Sequence, residues 1–195
     1  MSTSGILIKP AEGRSPIPVP GGMVHDWTAS AFIPGAKVDQ ALTLFQDYDG
    51  YTKVFTPEVV ESKLLSHEGN HWKAFLKLQR KKLVVTAVLN SEYDVEYRQV
   101  AAGKWAVLSR STRINEVQGD RELQASEEHG YLWRLNAYWL LEQHDGGLYV
   151  SCRSISLTRD VPAGLGWVVL PVVRSLPKES LQATVEAVRS RLTSR

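Results

Sequence analysis

The chain has 195 residues, enough for one domain, and its 43% apolar and 23% charged residues are typical of an ordinary globular protein. Lys and Arg are scattered and the formal net charge is only +2, which argues against a nucleic-acid partner. The single cysteine, Cys152, excludes an internal disulfide, and because no apolar run reaches the about 18 residues of a membrane span we expect no integral membrane segment.

The N-terminal segment, 1–22, is predicted to be an extended arm outside the main domain. It is rich in Pro, Gly and Ser and shows no hydrophobic period. The main domain is predicted over 23–193. Its first strand is expected over 23–33, where apolar and polar residues alternate until Pro34 and Gly35 end the pattern.

Two short helices are predicted between the first and second strands. Val38, Leu42 and Phe45 recur at helical spacing, which indicates an amphipathic helix that ends near Gln46. A second short helix is expected over 51–55, before the next strand begins.

From about residue 58 onward the hydrophobic period is two, which predicts six further strands joined by short turns. Such a run of hairpins forms an antiparallel meander rather than a parallel sheet. A charged stretch over 119–130 interrupts it and is predicted to be a mobile loop, whereas Arg80 and Lys81 are interpreted as a hairpin turn. The six predicted strands cover 58–67, 71–79, 82–98, 104–117, 131–143 and 147–159.

One long amphipathic helix is predicted over 164–192, after the last strand. Pro171 and Pro177 are expected to bend or interrupt it. Its first part, 167–173, is apolar on all sides, as the cover of a cavity would be. Because one helix cannot fill the concave face of a curved sheet of six or seven strands, the pattern predicts a hydrophobic cavity between the two.

This order of elements resembles the START-like (SRPBCC) helix-grip superfamily, which includes polyketide cyclase/dehydrase families, coenzyme Q-binding proteins and steroidogenic lipid-transfer domains. The resemblance covers about 23–192 and depends on Asp47-Tyr48-Asp49-Gly50-Tyr51, on Phe55-Thr56-Pro57-Glu58-Val59 and on the turn Asp160-Val161-Pro162. It implies an α+β fold in which a seven-stranded curved antiparallel sheet wraps around the C-terminal helix. It implies a cavity as well, but no particular activity.

His67-Glu68-Gly69-Asn70-His71 matches the H-E-x-x-H pattern of zinc hydrolases, but we interpret the match as chance. That chemistry requires a helix, since one helical face directs both imidazoles at one metal ion. Here Gly69 and Asn70 indicate a turn between two strands.

Cys152 lies in mid-strand and is interpreted as a small buried residue. We therefore predict no catalytic residue, no metal site and no cofactor.

The candidate ligand-binding residues are mostly large side chains that strand alternation places on the helix-covered face of the sheet. The set of predicted ligand-binding residues also includes two valines of the final helix. It further includes Arg113, whose strand has no cleanly apolar face. If the serine-rich face of that strand is turned inward, Arg113 anchors an acidic ligand; alternatively it is a solvent-facing or structurally paired arginine. The predicted ligand-binding residues are Trp72, Leu76, Tyr93, Tyr97, Arg113, Trp133, Leu135, Trp139, Val169 and Val173.

These features favour a non-catalytic protein that binds or carries a hydrophobic small molecule, such as a lipid, an isoprenoid quinone or a polyketide-like compound. The alternative is a cyclase- or hydratase-type enzyme that acts on a hydrophobic substrate in the same cavity, with Tyr or His as acid or base. Few ionisable side chains are predicted to face inward, namely His25, Tyr93, Tyr97 and Arg113, which favours binding over catalysis.

The expected compartment is the cytoplasm, because the sequence begins without the basic and apolar regions of a signal peptide. An exported protein from which the leader has been removed would have the same sequence, so that alternative stays open. The sequence does not indicate the oligomeric state.

Overall fold

The computed structural model describes residues 5–82, 85–124, 126–129, 131–159 and 166–194, with the backbone only at 82, 85 and 166–173. It has an α+β fold built from one large antiparallel sheet and a long C-terminal helix. In chain order the elements are β1 (Ile6–Pro10), β2 (Ile17–Val19), β3 (Gly22–Pro34), α1 (Val38–Gln46), a 3-10 turn (Tyr48–Gly50), α2 (Tyr51–Val54), β4 (Val59–Glu68), β5 (His71–Lys82), β6 (Val85–Ala101), β7 (Lys104–Gln118), β8 (Arg121–Glu122), β9 (Arg134–His144), β10 (Gly147–Arg159) and α3 (Gly166–Thr193).

The main path of the sheet has the strand order β1-β3-β10-β9-β7-β6-β5-β4, and each neighbouring pair is antiparallel. Two short strands lie off this path, since β2 pairs with β3 and β8 pairs with β7. The seven predicted strands are all present, so the predicted meander is confirmed. In the N-terminal segment, β1 joins the sheet as an edge strand.

The hairpin between β9 and β10 forms where the sequence predicts it. Asp145 and Gly146 have φ angles of 54° and 73°, the left-handed pair that a type I′ turn requires. The predicted turn at Arg80 and Lys81 is wrong, however. β5 continues to Lys82, and Arg80 pairs with Ala87 of β6.

Helix α3 is continuous from Gly166 to Thr193, so Pro171 and Pro177 do not interrupt it. The described part of α3 packs mainly against β3, with further contacts to β10, β1, α1 and α2. Burial of Leu181, Val185 and Val188 stabilises the helix, although a proline inside a helix costs about 3 kcal/mol. Within the described parts of the chain, no helix combines the length and apolar character needed to cross a membrane.

Two adjoining groups of buried side chains hold α3 on the concave side of the sheet. Val188 belongs to the larger group, together with Ile33 of β3 and Phe45 of α1. Leu181 and Val185 belong to the smaller one, which contacts β1 and β3. The C-terminal half of α3 therefore seals one end of the concave face.

We expect Val188→Ala to lower the free energy of unfolding by about 2 kcal/mol, because Val188 is 0% exposed and its truncation leaves a cavity. Ser190→Ala, at an exposed position of the same helix, should change it by less than about 0.5 kcal/mol. Urea denaturation of both variants measures the difference. Equal stabilities would contradict the assigned packing of α3.

Candidate functional site: a cavity between the sheet and α3

A cavity of about 320 Å³ lies between the concave face of the sheet and α3. Its volume falls at the lower end of the range for small-molecule sites, about 300–1,000 Å³. Most of the wall is apolar, because the inward-facing residues of β5, β6, β7 and β9 are largely aliphatic or aromatic. Leu89 of β6 and Ala137 of β9 are typical of this lining.

Half of the residues predicted to bind a ligand lie on the cavity wall. Strand alternation placed them correctly because the strands that carry them have one clearly apolar face. Whether they bind a ligand stays a prediction. The five are Leu76, Tyr93, Tyr97, Leu135 and Trp139.

Four others lie elsewhere or are not described. Trp72 does not line the cavity; its ring packs 5.6 Å from that of Tyr97, between ring centroids. Trp133 precedes β9, and its backbone N–H donates to the carbonyl of Leu157 at 2.8 Å, so it extends the sheet without lining the cavity. The side chains of Val169 and Val173 lie outside the described residues, as does the predicted turn at 160–162.

Arg113 does not face the cavity, and the reason is a bulge in β7. Ser111 pairs with Tyr93, whereas Arg113 pairs with Glu92, so Thr112 is an extra residue between the two pairs. An extra residue reverses the alternation of the side chains that follow it. The serine-rich face therefore points inward before the bulge, and Arg113 points outward after it.

Ion pairs confirm the outward position of Arg113. Its guanidinium contacts Glu92 at 2.9 Å and Glu122 at 2.7 Å, and the side chain is 43% exposed. The interpretation of Arg113 as an anchor inside the cavity is thus wrong, and the alternative of a structurally paired arginine is correct.

Hydrogen-bonded tyrosines line the end of the cavity beside α1. The hydroxyl of Tyr97 donates to the carbonyl of Phe45 at 2.7 Å, so the Tyr48 hydroxyl donates to Tyr97 at 2.8 Å. Burial raises the pKa of Tyr48 to about 12 and also raises that of Tyr97. The Tyr97 hydroxyl already has two partners, which makes this end of the cavity a rigid wall.

A charged cluster on the wall was missed by the sequence analysis, which assigned Arg80 to a turn. The Arg80 guanidinium pairs with the carboxylate of Glu58 and donates to the Ser180 hydroxyl from Nε at 3.1 Å and from Nη2 at 2.9 Å. Burial raises the pKa of Glu58, and Arg80 opposes that shift. The cluster ties α3 to β5 and leaves both charges paired.

Strand β10 carries a row of hydroxyl groups into the cavity. Ser154, Ser156 and Thr158 line the wall beyond Cys152, and we name the three hydroxyls the β10 hydroxyl row. Another serine, Ser151, lies on the outer face of this strand, so the sequence did not reveal which face is inward. The pairing of Ser156 with His25 on β3 decides it, because His25 is fully buried.

The imidazole of His25 on β3 contacts the last residue of the β10 hydroxyl row. Its Nε2 lies 3.0 Å from the hydroxyl oxygen of Thr158. Burial lowers the pKa of His25 to about 4, so the ring is neutral near pH 7. Burial likewise raises the pKa of the Cys152 thiol, which makes that group a poor nucleophile.

The segment that leads into β9 is anchored by a buried carboxylate on β7. Glu116 accepts hydrogen bonds from the backbone N–H of His129 at 2.9 Å and of Tyr131 at 2.8 Å. The His129 Nδ1 lies 2.9 Å from the same carboxylate. Tyr131 and Leu132 line the cavity, so Glu116 holds this part of the wall in place.

The H-E-x-x-H stretch lies on a β-hairpin, as predicted. His67 pairs with Trp72, and their ring centroids lie 4.2 Å apart with the planes tilted by 41°, whereas His71 pairs with Glu68. His71 is the neighbour of Trp72, so the two histidines point to opposite faces of the sheet. The described residues contain no cluster of three or more potential metal ligands. The absence of bound zinc stays a prediction.

Solved structures with the START-like helix-grip architecture are similar to this chain. A STAR-related lipid transfer protein from Xanthomonas axonopodis has a TM-score of 0.59 and 17% identity, over 96% of this chain and 98% of that chain. Human STARD10 has a TM-score of 0.54 and 9% identity, over 94% of this chain and 73% of that chain.

The di-domain ARO/CYC StfQ from the steffimycin biosynthetic pathway has a TM-score of 0.58 and 13% identity, over 87% of this chain and 50% of that chain. No family model matches the chain, and no curated protein matches its sequence. At these identities the likeness establishes the START-like helix-grip fold, in agreement with the resemblance seen in the sequence.

The buried His25 predicts a loss of stability in mild acid. Its folded pKa of about 4 lies below the ordinary 6.5, so the unfolded chain binds a proton first as the pH falls. The contribution of His25 to the free energy of unfolding is complete above about pH 6.5. It falls by about 3 kcal/mol as the pH falls toward 4, at 1.36 kcal/mol per pKa unit.

The free energy of unfolding, measured in urea between pH 7 and 4.5, should fall less steeply in His25→Gln than in the natural chain. The exposed His71→Gln should keep the natural slope. A slope that is the same in all three proteins would show that His25 does not titrate in this way.

Proposed function

We propose that this protein binds or carries a hydrophobic small molecule in the cavity between the sheet and α3. The observation that carries the proposal is the cavity wall itself, which joins apolar faces of four strands around a volume of about 320 Å³. Apolar surface that faces a cavity is stabilised when a ligand removes it from water, at about 25 cal/mol per Å². A hydrophobic molecule is therefore the ligand that such a wall binds best.

The ionisable groups of the wall support binding rather than catalysis. In the described chain the charged side chains that line the cavity are Glu58 and Arg80, and each is paired with the other. Burial raises the pKa of Tyr93 to about 12, far from the value that suits acid–base catalysis near neutral pH. No described pair of lining groups has the opposed pKa values expected of a general acid and a general base.

The ligand class remains broad: a lipid, an isoprenoid quinone or a polyketide-like compound. Among similar structures, one is named as a lipid transfer protein and another as an ARO/CYC protein, which is compatible with both binding and the cyclase alternative. Identities of 17% and 13% carry no activity across, so the choice between them depends on the wall of this chain.

An uncharged solvent-sensitive dye, 6-propionyl-2-(dimethylamino)naphthalene, tests the proposal. It should bind the natural protein with a blue-shifted emission. Ala137→Leu fills part of the cavity and should weaken dye affinity about tenfold, the effect of about 1.4 kcal/mol of overpacking.

Ala106→Leu is the matched control, because Ala106 lies on β7 next to the inward Val107 and does not line the cavity. It should leave dye affinity unchanged. Circular dichroism establishes that both variants fold. Identical affinities in Ala137→Leu and Ala106→Leu would mean that the dye binds elsewhere.

A further inference from the structure

We infer that the ligand is uncharged and carries a hydroxyl or carbonyl group that hydrogen-bonds to the β10 hydroxyl row and to Tyr93. This inference rests on the proposed function, since it names the chemistry of the molecule that fills the cavity. It is carried by polar atoms that are buried at the cavity and lack a partner.

The first of these atoms belongs to Ser156. The residue is 4% exposed, it lines the cavity, and within the described chain its hydroxyl has no hydrogen-bond partner. A buried hydroxyl without a partner is costly, and most such groups in folded proteins are satisfied. A hydroxyl or carbonyl oxygen of a bound molecule would satisfy it.

Thr158 extends the same row and is already partnered by the His25 ring. Alternate residues of a strand lie about 6.7 Å apart, so Ser154 and Thr158 are separated by about 13 Å along the wall. The row thus presents neutral donors and acceptors along one edge of the cavity.

The second unpartnered atom is the hydroxyl of Tyr93 on β6. Tyr93 is 5% exposed and lines the cavity, and its hydroxyl makes no hydrogen bond to a described residue. Ser91 lies near enough to oppose the rise in the pKa of Tyr93, but its own hydroxyl donates to the Leu76 carbonyl at 2.7 Å. Because the Tyr93 hydroxyl makes no hydrogen bond in the described chain, its proton is free to be donated to a ligand oxygen.

The wall favours an uncharged ligand for electrostatic reasons. Arg80 is the cation among the described lining residues; its charge is paired with the Glu58 carboxylate, and it also donates to the Ser180 hydroxyl. Arg113, the other candidate for binding an acid, lies on the outer face. A carboxylate in this cavity would lose its hydration without gaining a free cation, which is unfavourable.

Three naphthalenes of nearly equal size test the inference: 2-propylnaphthalene, 2-propionylnaphthalene and 3-(2-naphthyl)propanoate. Each competes with the dye for the natural protein and for the double variant Ser156→Ala/Tyr93→Phe. The ketone should lose affinity about fivefold in the double variant, the effect of one neutral hydrogen bond. The hydrocarbon should lose none, and the natural protein should bind the carboxylate more weakly than the ketone.

Ser151→Ala is the matched control, since Ser151 lies on β10 and hydrogen-bonds to Ser30 away from the cavity. The single variants Ser156→Ala and Tyr93→Phe, each of which removes one oxygen atom, replace the double variant if it does not fold. Equal losses for ketone and hydrocarbon, or tighter binding of the carboxylate than of the ketone, would overturn the inference while the proposed function stands. Failure of all three compounds and of the dye to bind would overturn the proposed function itself.

Discussion

The constraint on which this molecule depends is that one helix cannot fill the concave face of a large sheet. The described part of α3 lies over β3, β10 and β1, where Val185 and Val188 are buried. The inward faces of β5, β6, β7 and β9 are largely apolar and line the cavity together with residues of α3. They cannot pack against one another across the curved sheet, so the fold encloses a cavity.

The polar groups around the cavity divide into those that are satisfied and those that are not. Tyr97 near α1, the pair of Arg80 and Glu58, and Glu116 on β7 all have protein partners, and each of them fixes a part of the wall. Ser156 lacks a described partner, as does the Tyr93 hydroxyl. The charged groups of the wall are thus paired within the protein, whereas the groups available to hydrogen-bond a ligand are neutral hydroxyls. For this reason the ligand is inferred to be neutral.

Strand alternation predicted much of this site from the sequence, but only where one face of a strand is clearly apolar. It placed Trp139 on the wall correctly, and it failed for Arg113 because the bulge at Thr112 reverses the alternation without a sign in the sequence. Arg80 was assigned to a turn because of its basic neighbours, although pairing extends the hairpin beyond it. Ser156 was overlooked because both faces of β10 carry serines, so its direction depends on pairing between distant strands.

Native mass spectrometry, followed by organic extraction, tests the central claim most directly. The purified protein would be incubated with a total lipid extract of its source cells and then separated from unbound material. The account predicts a complex of one chain with one small molecule that extracts into organic solvent without a charged headgroup, and a much smaller fraction of complex for Ala137→Leu. A spectrum that contains only the free chain, or a bound molecule that Ala137→Leu retains in full, would contradict it.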